Sequence, residues 1–102
     1  ILIIDRNNIA ALDFVHKFTK LEPLASKWRS FGWNVSNVDG HNISSIIRKI
    51  KKFKNKKNNK PSVIIAKTIK GKGVSFVEND ASWHVKGIKD LQMYLKAKKE
   101  LK

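Results

Sequence analysis

Cysteine is missing altogether from the 102 residues, which excludes disulfides, thiolate chemistry and cysteine-ligated metal sites. No apolar run approaches the roughly 18–20 residues of a membrane helix. The opening Ile1-Leu2-Ile3-Ile4 is too short for a signal peptide and lacks a basic flank, so a cytoplasmic context with no membrane partner is expected. Acidic residues are scarce, 8 against 22 basic ones, and the net charge is +14. Arginine is scarcer still, three residues (Arg6, Arg29 and Arg48) beside 19 lysines. A charge of this sign suggests a polyanion partner. Lysine-rich, arginine-poor basicity, however, lacks the guanidinium forks that base and phosphate recognition favour. Lysine, isoleucine and asparagine make up 40 of the 102 residues, and all three have A/T-rich codons, so base drift can inflate surface lysine without selection for a ligand. Specific nucleic-acid binding is therefore not expected.

What is present is enough for one small domain. A hydrophobic fraction of 41% argues against wholesale disorder. Ile1–Ile4 reads as a fully buried strand, stopped by Asp5-Arg6-Asn7-Asn8. Pro23 opens a helix on which Leu24, Trp28 and Phe31 form one stripe, with Gly32 just past its end. Residues 33–38 alternate as a strand up to Asp39-Gly40. Asn42 is placed to cap a helix whose apolar face is Ile43, Ile46, Ile47, Ile50 and Phe53. That helix dissolves into the lysine and asparagine stretch 54–60, read as a solvated loop closed by Pro61. Residues 62–66 form a third strand, and Ile88, Leu91 and Leu95 outline a last helix behind Asp90. Apolar strands alternating with amphipathic helices predict an α/β fold, a partial doubly wound parallel sheet of about three strands. Three strands are too few to cover both faces and both edges, so stable folding of the chain alone is not expected.

Polar or glycine residues follow each strand, where open α/β sheets bind ligands. They are Asp5-Arg6-Asn7-Asn8-Ile9, Asp39-Gly40-His41, and Thr68-Ile69-Lys70-Gly71-Lys72-Gly73 with Ser82-Trp83-His84 beyond. Taken singly each has a plain structural reading: a turn, a cap, or a surface pair. The Lys-Gly-Lys-Gly run lacks Walker spacing, although its glycines would suit close backbone approach to a phosphate.

In this order the segments carry more. Leu21-Glu22-Pro23-Leu24-Ala25-Ser26-Lys27-Trp28-Arg29-Ser30-Phe31-Gly32-Trp33, Val38-Asp39-Gly40-His41, Ala66-Lys67-Thr68-Ile69-Lys70-Gly71-Lys72-Gly73-Val74-Ser75-Phe76 and Ser82-Trp83-His84 closely resemble the transketolases. The likeness is greatest to the form with a separate N-terminal subunit. The resemblance implies a transketolase that uses thiamine diphosphate and Mg²⁺ to move a two-carbon ketol unit between sugar phosphates. It assigns residues 1–102 to the C-terminal part of the thiamine diphosphate-binding domain. It also implies that Asn7 and the Ile9 carbonyl are Mg²⁺ and cofactor ligands, and that Lys70 neutralises the diphosphate. His84 would lie near both diphosphate and substrate as a catalytic and binding residue, and Lys86 would face a substrate phosphate. Asp39-Gly40-His41 is a family landmark given a structural role.

Two departures stand out. Ala11-Leu12-Asp13-Phe14 lacks the family's glycine, which predicts a differently bent loop, and Val85 replaces a glycine after His84. The family's Gly-Asp-Gly metal motif would lie upstream of Ile1, and a pyrimidine-binding subunit or domain would complete the site across a dimer interface. The chain alone is therefore expected to be inactive. Deoxyxylulose-phosphate synthase and dehydrogenase components share the cofactor, but the Trp-Arg-x-Phe-Gly-Trp segment disfavours them. The alternative from another class is a non-catalytic basic α/β module that binds nucleic acid or other polyanions.

Overall fold

The computed structural model describes residues 1–101, which divide into two compact units. The first comprises Ile1–Asn7 and Leu21–Thr68. It holds a three-stranded parallel sheet of β1 (Leu2–Arg6), β2 (Asn34–Asp39) and β3 (Ser62–Lys67) in the order β1-β3-β2. Helix α1 (Leu24–Ser30) connects towards β2, and α2 (Ile43–Lys54) connects β2 to β3. The α/β class and the parallel sheet are as the apolar periodicity predicts.

The central strand is β3, and its alternation builds the core. Val63 and Ile65 meet Leu24, with Ile4, Leu21, Ala25, Trp28, Trp33 and Val35 packed around them on the α1 face. Ile64 and Ala66 meet Val38, with Ile46, Ile50 and Phe53 of α2 on the other face. Val63 and Ile64 are wholly buried. Burial of such side chains contributes about 1.5–3 kcal/mol each. Trp28 and Trp33 pack edge-on, with centroids 4.7 Å apart.

Two expectations about burial need correction. The run Ile1–Ile4 is not fully buried: Ile1, ahead of β1, and Leu2 and Ile3 within it are 59%, 38% and 48% exposed. Strand β1 pairs only with β3, so it is an edge, and Ile4 is its main contribution to the core. The apolar stripes of the helices are also wider than the contacts they make. Ile43, Ile47 and Phe31 are exposed, because Ile46, Ile50 and Phe53 already cover one face and Leu24 and Trp28 the other.

The caps follow the sequence closely. The Asn42 side chain accepts the Ser45 N–H at 2.9 Å, and Gly32 follows α1 with a φ of +82°. The lysine and asparagine stretch after α2 is more ordered than a solvated loop. Buried Asn34 donates to the Asn58 side chain at 3.0 Å and to the Lys60 carbonyl at 3.2 Å, while accepting from Lys56 Nζ and the Asn58 amide.

The second unit comprises Asn8–Lys20 and the chain from Ile69 onward. It carries short 3-10 turns at Val15–Lys17 and Ala81–His84, and helix α3 (Leu91–Glu100). Asp90 caps α3, accepting the Met93 N–H at 2.8 Å. Among the described residues no helix is long and apolar enough to cross a membrane.

Candidate functional site

At the C-terminal end of the sheet, the residues of the first unit form a connected set. Strand β1 ends at Arg6, and Asn7 is the next residue. Strand β2 ends at Asp39, whose Oδ1 accepts the His41 N–H at 2.9 Å. The Gly40 N–H donates to the Lys67 carbonyl at 2.7 Å, tying the end of β2 to that of β3. Gly40 has no room for a side chain: a Cβ would overlap Thr68 Cγ2 and lie 2.9 Å from the Lys67 carbonyl oxygen. Thr68 Oγ1 in turn donates to Asp5. Arg6 donates to Glu22 Oε1 from Nε at 3.1 Å and from Nη2 at 2.9 Å, and Glu22 Oε2 accepts the Leu24 N–H at 2.9 Å. The Leu24 N–H, and then Arg6, hold the Glu22 carboxyl below its ordinary pKa.

Asn7 thus belongs to the sheet unit, while Ile9, Lys70, His84 and Lys86 belong to the second unit. Between Asn7 and Ile9, Asn8 adopts a φ of +65°. Ile9 forms an antiparallel bridge with Phe14, and the Asn8 carbonyl accepts the Val15 N–H at 2.9 Å. The turn between them closes without glycine. Its Ala10 N–H donates to the Asp13 carbonyl at 2.8 Å, and Asp13 Oδ1 accepts the Phe14 N–H at 2.7 Å. An ion pair with Lys17, then that N–H, lowers the Asp13 pKa.

The Lys70–Gly73 loop is folded on itself, with the N–H groups of its later residues bonded within the chain. The Lys72 and Val74 N–H groups donate to the Ile69 and Gly71 carbonyls, and the Gly73 N–H donates to Glu78 Oε1 at 2.9 Å. Gly71 has a φ of +72°, and a Cβ there would lie 2.9 Å from the Val77 backbone. The glycine is required by packing of the chain against itself. Lys70 is half-buried, and its carbonyl accepts the Asn79 N–H at 3.1 Å.

His84 is exposed at the end of the Ala81–His84 turn. That turn is fixed at both sides. Asp80 Oδ1 accepts the Ser82 hydroxyl at 2.6 Å and the Ser82 N–H at 2.8 Å, and these two bonds lower the Asp80 pKa. Trp83 packs on Phe76, with centroids 5.6 Å apart, rather than on its neighbour His84. With Asp90, Gln92, Met93 and Lys96 these two rings line an open groove of about 610 Å³. The Lys86 N–H donates to the Ser82 carbonyl at 3.2 Å, and its charge also favours ionised Asp80.

Sequence reasoning missed the Arg6–Glu22 and Asp5–Thr68 pairs, whose members lie 16 and 63 positions apart. The only available signal was alternation along β1, which sends Asp5 and Arg6 to opposite faces.

Comparison with known proteins agrees with this architecture. Residues 1–101 match the family described as transketolase, thiamine diphosphate binding domain. The chain is 35% identical over 101 residues to one subunit of an apulose-4-phosphate transketolase from Phocaeicola vulgatus, covering 99% of this chain and 35% of that one. It is 41% identical over 80 residues to a 6-deoxy-6-sulfo-D-fructose transketolase subunit of a Clostridium species, covering 78% of this chain and 29% of that one. The crystal structure of transketolase from Campylobacter jejuni superposes with a TM-score of 0.81 at 28% identity, over 98% of this chain and 15% of that one. The chain therefore spans about a third of the length of these two subunits. It belongs to the transketolase family, within the thiamine diphosphate-binding domain.

Proposed function

We propose that this chain forms part of a Mg²⁺-dependent transketolase that moves a two-carbon ketol unit from a ketose phosphate to an aldose phosphate. The observation that carries the reading is the position of Asn7, directly past β1 at the end of a parallel sheet where β2 and β3 also end. Ligands of open α/β sheets bind beyond the carboxyl ends of the strands. The donor set suits Mg²⁺: the Asn7 amide oxygen and the Ile9 carbonyl are hard, neutral oxygens. Mg²⁺ takes such donors alongside phosphate oxygens and water. Among the described residues no cluster of three His, Cys, Asp or Glu could hold a cation unaided. The remaining ligands would therefore come from the diphosphate, from water and from outside these residues.

When bound, the thiamine group supplies carbanion stabilisation for the transferred fragment. This chain's residues bind and orient. Lys70 opposes the diphosphate charge as a point cation. His84, exposed on a braced turn, donates a hydrogen bond or relays a proton at substrate, and Lys86 meets a substrate phosphate. Several of the relatives are named as single subunits of a transketolase, which supports a separate partner subunit; on this reading that partner binds the pyrimidine and completes the site across a dimer interface. On this reading the 102 residues alone have no transketolase activity.

The test is Asn7→Ala in the full-length polypeptide with its partner. It should lower affinity for Mg²⁺ and thiamine diphosphate about tenfold or more, with little change in Tm. Wild-type activation by both would remove Asn7 from the ligand set.

A further inference from the structure

The two residues ahead of Asn7 point to opposite faces of β1, and each is held by a different neighbour. On the α1 face, Arg6 is only 13% exposed and both of its bonds go to Glu22, which itself accepts from the first residue of α1. On the α2 face, Asp5 accepts from the Thr68 hydroxyl. The Thr68 N–H also reaches back to the Arg6 carbonyl at 3.4 Å. Gly40 completes the arrangement, because any larger residue there would displace Thr68. The last stretch of backbone before Asn7 is thus fixed from both sides of the sheet.

We propose that Arg6–Glu22 and Asp5–Thr68 form a two-sided clamp whose role is to position Asn7 for the metal–diphosphate complex. The inference rests on the reading of Asn7 as a Mg²⁺ ligand. It has a physical motive. Mg²⁺ demands near-octahedral geometry with short bonds, so a ligand on a frayed strand end would lose affinity. An edge strand held on one side only is prone to such fraying. Arg6 is engaged by a carboxylate and so acts on the site through backbone placement, not as a phosphate ligand. Glu22 and Thr68 are positioning residues by the same argument.

The experiment follows Mg²⁺ binding in the presence of thiamine diphosphate by intrinsic tryptophan fluorescence, using the full-length polypeptide with its partner. Wild type is compared with Asn7→Ala, Glu22→Ala, Glu22→Gln, Thr68→Val and Thr68→Ser, each with its Tm measured without cofactor. Loss of a residue that supports a metal ligand typically costs about 10–100-fold in affinity. Glu22→Ala and Thr68→Val should therefore raise half-saturating Mg²⁺ by about tenfold or more with cofactor-free Tm nearly unchanged. Thr68→Ser, which keeps the hydroxyl, should restore the wild-type value, and Glu22→Gln should fall between. Wild-type Mg²⁺ binding by Glu22→Ala and Thr68→Val, with Asn7→Ala impaired, would overturn the clamp and leave the ligand reading standing. An affinity loss matched by a drop in cofactor-free Tm and not rescued by Thr68→Ser would overturn it too. Wild-type binding by Asn7→Ala would instead overturn the ligand reading itself.

Discussion

Asn8 sits at a φ of +65° between the proposed side-chain ligand Asn7 and the proposed carbonyl ligand Ile9. Asparagine tolerates the left-handed region better than other non-glycine residues, whereas a β-branched side chain there is strained by roughly 1–2 kcal/mol or more. Asn8→Val should accordingly lower both thermal stability and cofactor affinity, while Asn8→Gly should preserve both. Equal cofactor titrations for the two variants would show that the left-handed turn does not matter to the site. In the sequence, an Asn-Asn pair alone reads only as a turn, and it was the order of motifs farther along that singled out Asn7. Nothing local could have revealed Glu22 or Thr68 as its supports. A hydrogen bond across 63 positions is a product of register, and register emerges only when β1 pairs with β3.

The elements were legible where periodicity and capping agree. Helix α2 starts at the residue after Asn42, and β3 is the continuous apolar run that a two-faced central strand requires. Strand β1 has a similar apolar run but not the same surroundings, so composition alone overstated its burial. Residues 70–79 escaped because their order comes from turns and carboxylates without a period. Glu100 at the end of α3 belongs to this class. Its carboxylate accepts the Ser75 N–H and, at 2.9 Å, the Ser75 hydroxyl, and the backbone bond first and the hydroxyl second lower its pKa. A carboxyl whose folded pKa is lowered contributes stability that is complete above its ordinary value of about 4.5. That contribution is lost as pH falls through the lowered folded value. The Ser75 amide proton resonance should therefore titrate with a midpoint below the ordinary glutamate value, and Glu100→Gln should abolish that titration. A Ser75 titration unchanged by Glu100→Gln would assign it to another group.

For the molecule as a whole, the charge of +14 is the property that most invites a second function, and within the sheet unit the topology separates the lysine-rich end of α2 from Asn7. Helix α2 leaves the carboxyl end of β2 and returns the chain to the start of β3. Its basic end and the following lysines therefore lie at the opposite end of the sheet from Asn7. From Gly40 to Val77 there is no acidic residue, and among the described residues Arg48, Lys49, Lys51, Lys52 and Lys54 have no carboxylate partner. Lysines without such partners attract any polyanion by counterion release, and that attraction falls with a slope of about −0.9 per phosphate contact in log–log terms. With about four contacts, binding to duplex DNA should weaken about a hundredfold between roughly 50 and 200 mM salt. Lys51→Glu with Lys52→Glu should remove most of it while leaving Mg²⁺ and thiamine diphosphate titrations unchanged. Fluorescence anisotropy of a labelled duplex against salt reads the first quantity and tryptophan fluorescence the second. Tight binding that survives the higher salt would favour the basic-module reading, because lysine point charges alone cannot sustain it. Loss of cofactor affinity in the double variant would show instead that the two ends of the sheet are not independent.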